Sequence, residues 1–196
     1  MPRLAAGAVV ASVLLSFSVP VGATASGPTV VGVVDLYAPT PLAAFSGLFP
    51  ERFAADDLSA SLARAAAGRF TLVPRDAVEK AASGAGWRGE DVLHFDRLGR
   101  LARIVGADRL VIGWIAALDM SDSGGVGPDN GGTPHMIDAT IVVQVFDAAQ
   151  GRIISETRQM GSAVGAVPSV LAEQALHRAV GAALPSLLGT LISQMP

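Results

Sequence analysis

Apolar residues fall along the chain in two rhythms. Thr29 to Leu36 (TVVGVVDL) is short and β-branched, with Asp35 near its end. Arg109 to Leu118 (RLVIGWIAAL) is apolar on both alternating faces. Both read as strands covered on two sides. Ile137 to Asp147 alternates instead, with Ile137, Ala139, Ile141, Val143 and Val145 facing one way and Asp138, Thr140 and Gln144 the other. That pattern predicts a half-buried strand. The turn Ala148 to Gly151 leads into a return strand, Arg152 to Met160, polar enough to be a sheet edge. Arg69 to Pro74 predicts one more short strand.

Helical periodicity fills the spaces between. In Glu51 to Ala67, Ala55, Leu58, Leu62 and Ala65 recur at spacings of three and four, and Gly68 stands at the C-terminal cap. A second helix is expected from Asp76 to about Ser83, capped by Asp76 with Glu79 three residues on. A third runs from Asp96 to Val105, with Leu98, Leu101 and Ile104 on one face and Arg97, Arg100 and Arg103 on another, ending at Gly106. The last spans Ser169 to Leu184, and Pro185 is expected to kink or break it, because proline removes a hydrogen bond and crowds the preceding turn. Tyr37 to Pro50, Ser83 to Glu90, Asp119 to Pro134 and Gly161 to Pro168 read as loops or linkers. The order is β-α-β-α-α-β-β-β-α. Helical crossovers predict parallel pairing of the first three strands, and direct turns predict an antiparallel meander of the last three. The expected fold class is α/β, a mixed β-sheet flanked by helices, in a single domain over residues 26–196 with a C-terminal helix.

The N-terminus carries a third kind of pattern. Arg3 is followed by an uncharged apolar stretch to Phe17 and then by Ala23-Thr24-Ala25. This is the layout of a secretory signal peptide over residues 1–25, removed after Ala25. The alternative is an uncleaved anchor, although the apolar run is shorter than the roughly 20 residues of a comfortable span. A periplasmic or secreted location is expected.

Composition narrows the chemistry. The 196 residues include no cysteine, which excludes a disulfide framework, thiolate metal sites, a cysteine nucleophile and a lipid on an N-terminal Cys. The net charge of −3 disfavours a nucleic-acid partner. His94, His135 and His177 lie far apart, and no nucleophile elbow or phosphate loop is present. No catalytic residues and no cofactor are expected. Asp35 and Asp119 end two central strands and are candidates to bind a ligand at one rim, the place where open α/β sheets hold ligands; aspartate also simply ends strands well. Asp119, Ser121 and Ser123 lie at positions 1, 3 and 5 of a partial calcium-loop pattern, with Gly124 at position 6, but Asn130 stands where a bidentate Glu is needed. The Arg97, Arg100 and Arg103 stripe reads as a solvated helix face or a surface for an anionic partner. Ala179 to Pro196 holds no charge. It is expected to pack on its own domain, with Leu187, Leu188, Leu191 and Ile192 as the candidate surface if it binds a partner instead. Its Pro, Gly and polar residues argue against an integral membrane span.

Several short motifs form an ordered series. They are Val30 to Leu36 (VVGVVDL), Arg69 to Asp76 (RFTLVPRD), Gly106-Ala107-Asp108 before a strand reaching Gly113, and the hairpin pair Asp147 and Gly151. The series resembles the periplasmic domains of the CsgG, TolB N-terminal-like and FlgT-like superfamily over about residues 29–190. The resemblance implies an anticodon-binding-domain-like arrangement and a bacterial cell-envelope accessory domain that acts by protein–protein interaction, including a possible homo-oligomer. CsgG itself is a lipid-anchored pore, and this chain lacks the cysteine and obvious barrel hairpins. A subunit of an outer-membrane secretion assembly, and a periplasmic small-ligand or calcium-binding protein, stay as alternatives.

Overall fold

The computed structural model describes residues 27–38, 48–122 and 134–193. The expected signal peptide lies outside them. The elements follow the expected order: β1 (Thr29–Val33), α1 (Pro50–Ala66), β2 (Phe70–Leu72), α2 (Arg75–Gly84), a short 3-10 helix (Gly89–Leu93), α3 (Phe95–Val105), β3 (Arg109–Asp122), β4 (His135–Asp147), β5 (Arg152–Gly165) and α4 (Pro168–Ser193). The strands form one mixed sheet in the order β2-β1-β3-β4-β5. β1 is parallel to both β2 and β3, whereas β3, β4 and β5 are antiparallel. The mixed α/β sheet is therefore the fold of the described chain.

Two apolar layers sandwich the sheet. On one face α1 and α4 bury Leu58, Leu62, Leu176 and Leu187 against Val31, Val111, Ile141 and Val143. On the other, α2 and α3 bury Val78, Leu98 and Leu101 against Val34, Leu110, Ile112 and Phe146. Successive strand residues point to opposite faces, so Val111 joins the first layer while its neighbours Leu110 and Ile112 join the second.

Four boundaries differ from expectation. The hairpin is longer, because β3 continues through Asp122 and β4 begins at His135, where a loop is expected from Asp119. The ladder carries the backbone on: Asp119 pairs with Asp138 and Asp122 with His135. An antiparallel ladder tolerates such polar, solvent-facing residues. Likewise Gly161 to Gly165 belongs to β5 and is no linker. Asp76 and Asp96 lie in the first turns of α2 and α3, whose cap positions are occupied by Pro74 and His94. Ile104 is exposed, since it is six residues, or about 240° around the helix, from buried Leu98.

α4 does not break at Pro185 and runs unbroken for 26 residues. Pro185 lies on the exposed side, where the carbonyl left without its N–H donor can turn to water. Ala183, Leu187 and Leu191 continue the buried stripe beneath it. By length and composition alone α4 could cross a membrane, but here it is the core helix of the domain.

Candidate functional site

The chain reaches β2 from β1 through α1, on one face of the sheet. It then reaches β3, on the other side of β1, through α2 and α3 on the opposite face. The crossovers therefore diverge at the carboxyl end of β1, the kind of switch point at which open α/β sheets leave a crevice. A cleft of about 510 Å³ lies there, lined by Asp35, Tyr37, Glu51, Arg52, Glu79 and Trp87 among others.

Arg75, at the start of α2, holds two of the lining residues, Asp35 and Glu79. Its guanidinium donates to Asp35, to Asp56 of α1 at 3.0 Å, to Glu79 at 3.3 Å and to the Val33 carbonyl at 2.9 Å. One side chain thus ties β1, α1 and α2 together. Burial works against its charge, but Asp35 and Asp56 outweigh that cost, so the Arg75 pKa is held above the ordinary arginine value. Arg52 reaches Glu79 at 3.3 Å and Asp56 at 3.8 Å.

The chain beyond Asp35 rejoins β3. The Tyr37 N–H donates to the Gly113 carbonyl at 2.9 Å, and the Ile115 N–H donates to the Tyr37 carbonyl at 2.8 Å. Asp35 is therefore held in the gap between two paired stretches. The Tyr37 ring lies against Gly89, where a Cβ would stand 2.8 Å from it. Trp87 follows the end of α2 and is half-buried, and its indole N–H is buried with no acceptor among the described residues.

The sequence candidates are not assembled together. Tyr37 bridges Trp114, whereas Asp119 lies five residues further along β3, roughly 15 Å away at strand rise. Asp35 and Asp119 thus do not share a rim. Asp119 and Ser121 are exposed on a paired strand, which does not curl around an ion as a calcium loop does. Ser123 lies outside the described residues. Among the described residues, no group of three or more His, Asp or Glu is gathered as a metal site. Leu187 and Leu191 are fully buried in the core, and Leu188 and Ile192 are half-buried, so the tail packs on its own domain. Each of two histidines pairs with a carboxylate: His135 with Asp122 at 3.1 Å, and His177 with Asp57 at 2.9 Å. In the arginine stripe, Arg97 donates to buried Asp91 at 2.7 Å.

Sequence reasoning found Asp35 but missed Arg75, Glu51, Glu79 and Trp87 as its company. The local signal was the strand end followed, some forty residues later, by the Pro74-Arg75 helix start. Nothing in the linear pattern says that the two meet.

No family model and no curated protein matches the chain. Solved structures do. The lipoprotein GNA1162 from Neisseria meningitidis is 13% identical with a TM-score of 0.54, over 85% of this chain and 100% of that one. The hypothetical protein CT253 from Chlamydia trachomatis is 13% identical with a TM-score of 0.54, over 86% and 100%. The LpoB C-terminal domain from Salmonella enterica is 20% identical over 70% and 85%, with a TM-score of 0.44. None of the three is a CsgG, TolB N-terminal or FlgT domain. At these identities the likeness is one of architecture, and the chain shares the α/β fold of GNA1162 and CT253 along nearly the whole of its described length.

Proposed function

We propose that this is a non-catalytic accessory domain exported to the bacterial cell envelope, of the CsgG and TolB N-terminal-like type, that works by contact with a protein partner. The outer half of the β3-β4-β5 sheet, which no described helix covers on one face, carries this reading. The second apolar layer ends on these strands at Ile112, Phe146 and Ile153. Beyond it, Thr140 pairs with Met160 and Met136 with Val164 on that same face. Met160 is 63% exposed and Val164 59%. β5 is also the sheet edge, with one side of its backbone unpaired by any strand among the described residues. Exposed apolar residues on an edge strand are a liability unless something covers them. The leader-like N-terminus and the shared fold of a Neisseria lipoprotein support the envelope location.

Site-specific photo-crosslinking in the native envelope tests the proposal. Arg158, opposite Val142, is exposed on the same face two residues from Met160. A crosslinker at Met160 or Val164 is expected to give one discrete adduct that disappears on Arg158→Glu, while a crosslinker at exposed Lys80 of α2 gives none. Equal adducts at all three positions, or none at Met160 and Val164, would sink the reading.

A further inference from the structure

The cleft at the end of β1 is separate from the exposed face of β5 and has its own chemistry. Its charges do not balance. Arg75 and Arg52 are shared among Asp35, Asp56 and Glu79, which already leaves one carboxylate in excess. Glu51 adds another: it lines the cleft half-buried, and no ion pair to it is present among the described residues. The lining also carries two aromatic side chains, Trp87 and Tyr37. The Trp87 N–H is buried, with no acceptor among the described residues.

We propose that this cleft binds a cationic amine or guanidinium group. Glu51 and Glu79 accept its charge-assisted hydrogen bonds, and the Trp87 ring face stabilises its charge. Arg75 is a positioning residue that holds Asp35 and Glu79 in the cleft lining. A volume of about 510 Å³ suits a small ligand or one long side chain. The cleft gathers at a topological switch point, where both crossovers leave room for a ligand.

The test uses the full chain and two probes, agmatine and the tripeptide glycyl-arginyl-glycine, followed by the two tryptophan indole NMR signals. Both probes are expected to shift the Trp87 signal saturably and leave the Trp114 signal in place. Tighter binding of the tripeptide identifies a peptide side chain as the source, and equal binding identifies a free amine. Glu51→Gln is expected to weaken either probe about tenfold, the scale of one lost hydrogen bond to a charge. A thermal melt confirms that the variant is folded. Should it fail to fold, Trp87→Leu, read by calorimetry, is expected to weaken both probes about fivefold, because the ring face that stabilises the charge is gone. No saturable shift up to about 10 mM, at the weak end of specific affinity, overturns the proposal. So does an equal shift by a neutral ureido analogue of the same length, or undiminished binding to folded Glu51→Gln.

Discussion

The Arg75 guanidinium is ion-paired with Asp35, forty residues earlier in the chain, and donates to the Val33 carbonyl two residues before it. This joins the end of β1 to the start of α2, although no backbone hydrogen bond links those segments directly. The Arg75 side chain is 15% exposed, while its three carboxylate partners are between 29% and 52% exposed.

That asymmetry sets the size of the first prediction. Arg75→Met leaves three carboxylates that can rehydrate, so the loss falls below the cost of orphaning a fully buried charge. It is expected to destabilise the domain by about 2 kcal/mol, read by urea unfolding. Arg75→Lys should recover only part, because an ammonium lacks the fork that serves four acceptors at once. An unchanged unfolding midpoint for Arg75→Met would show that the network contributes nothing net.

The second prediction concerns the approach of α4 to β5. A Cβ on Gly161 would strike the backbone of α4 at the Ala175 carbonyl and the Ala179 amide. Backbone cannot move aside as a flexible side chain can, so Gly161→Ala should cost about 3 kcal/mol in chemical denaturation. Gly181, in the middle of α4, has open space around its Cβ position. Gly181→Ala is expected to stabilise by about 1 kcal/mol through helix propensity.

Asp91 supplies a pH signature. It is buried, accepts the Arg88 N–H at 2.8 Å and accepts from Arg97 at 2.7 Å. Burial works against its charge, but these two donors prevail and hold its pKa below the ordinary aspartate value of 3.8. A carboxyl depressed in the folded state binds fewer protons there than in the unfolded chain. Its stabilisation is therefore complete above the unfolded value and is lost as pH falls through the lower folded one. Denaturation from pH 7 down to about 2 should show a steeper acid loss for wild type than for Asp91→Asn, with the variant less stable at neutral pH. Parallel curves would refute this.

The tail offers a fourth. Leu191 is fully buried, and its own carbonyl accepts from the Arg109 guanidinium at 3.0 Å. Leu191→Ala should cost about 3 kcal/mol in thermal or urea unfolding. Removing residues 186–196 takes away Leu187 as well and should abolish cooperative unfolding. A stable, monodisperse truncated chain would mean that the tail is free for a partner.

Much of the architecture was legible locally. Burial imposes a period of two on strands and about 3.6 on helices, so VVGVVDL, RLVIGWIAAL and the stripe Leu98 and Leu101 announce their own elements. The apolar alternation of Ile137 to Val145 likewise named the face that packs on α4. Boundaries were less legible where a partner decides them. Asp119 to Asp122 look like loop residues until β4 supplies their hydrogen bonds. Pro185 looks like a stop until the stripe of Ala183, Leu187 and Leu191 holds the helix to the sheet.

The sequence by itself thus determined the order and kind of the elements, the scarcity of reactive side chains and the leader-like start, because each of these is a property of neighbours along the chain. Only the tertiary structure decided that Asp35, Glu51, Glu79 and Trp87 line one cleft and that Met160 and Val164 lie exposed on one face of β5. Those groupings depend on which side of the sheet each crossover packs, and that choice is made by burial across the whole domain.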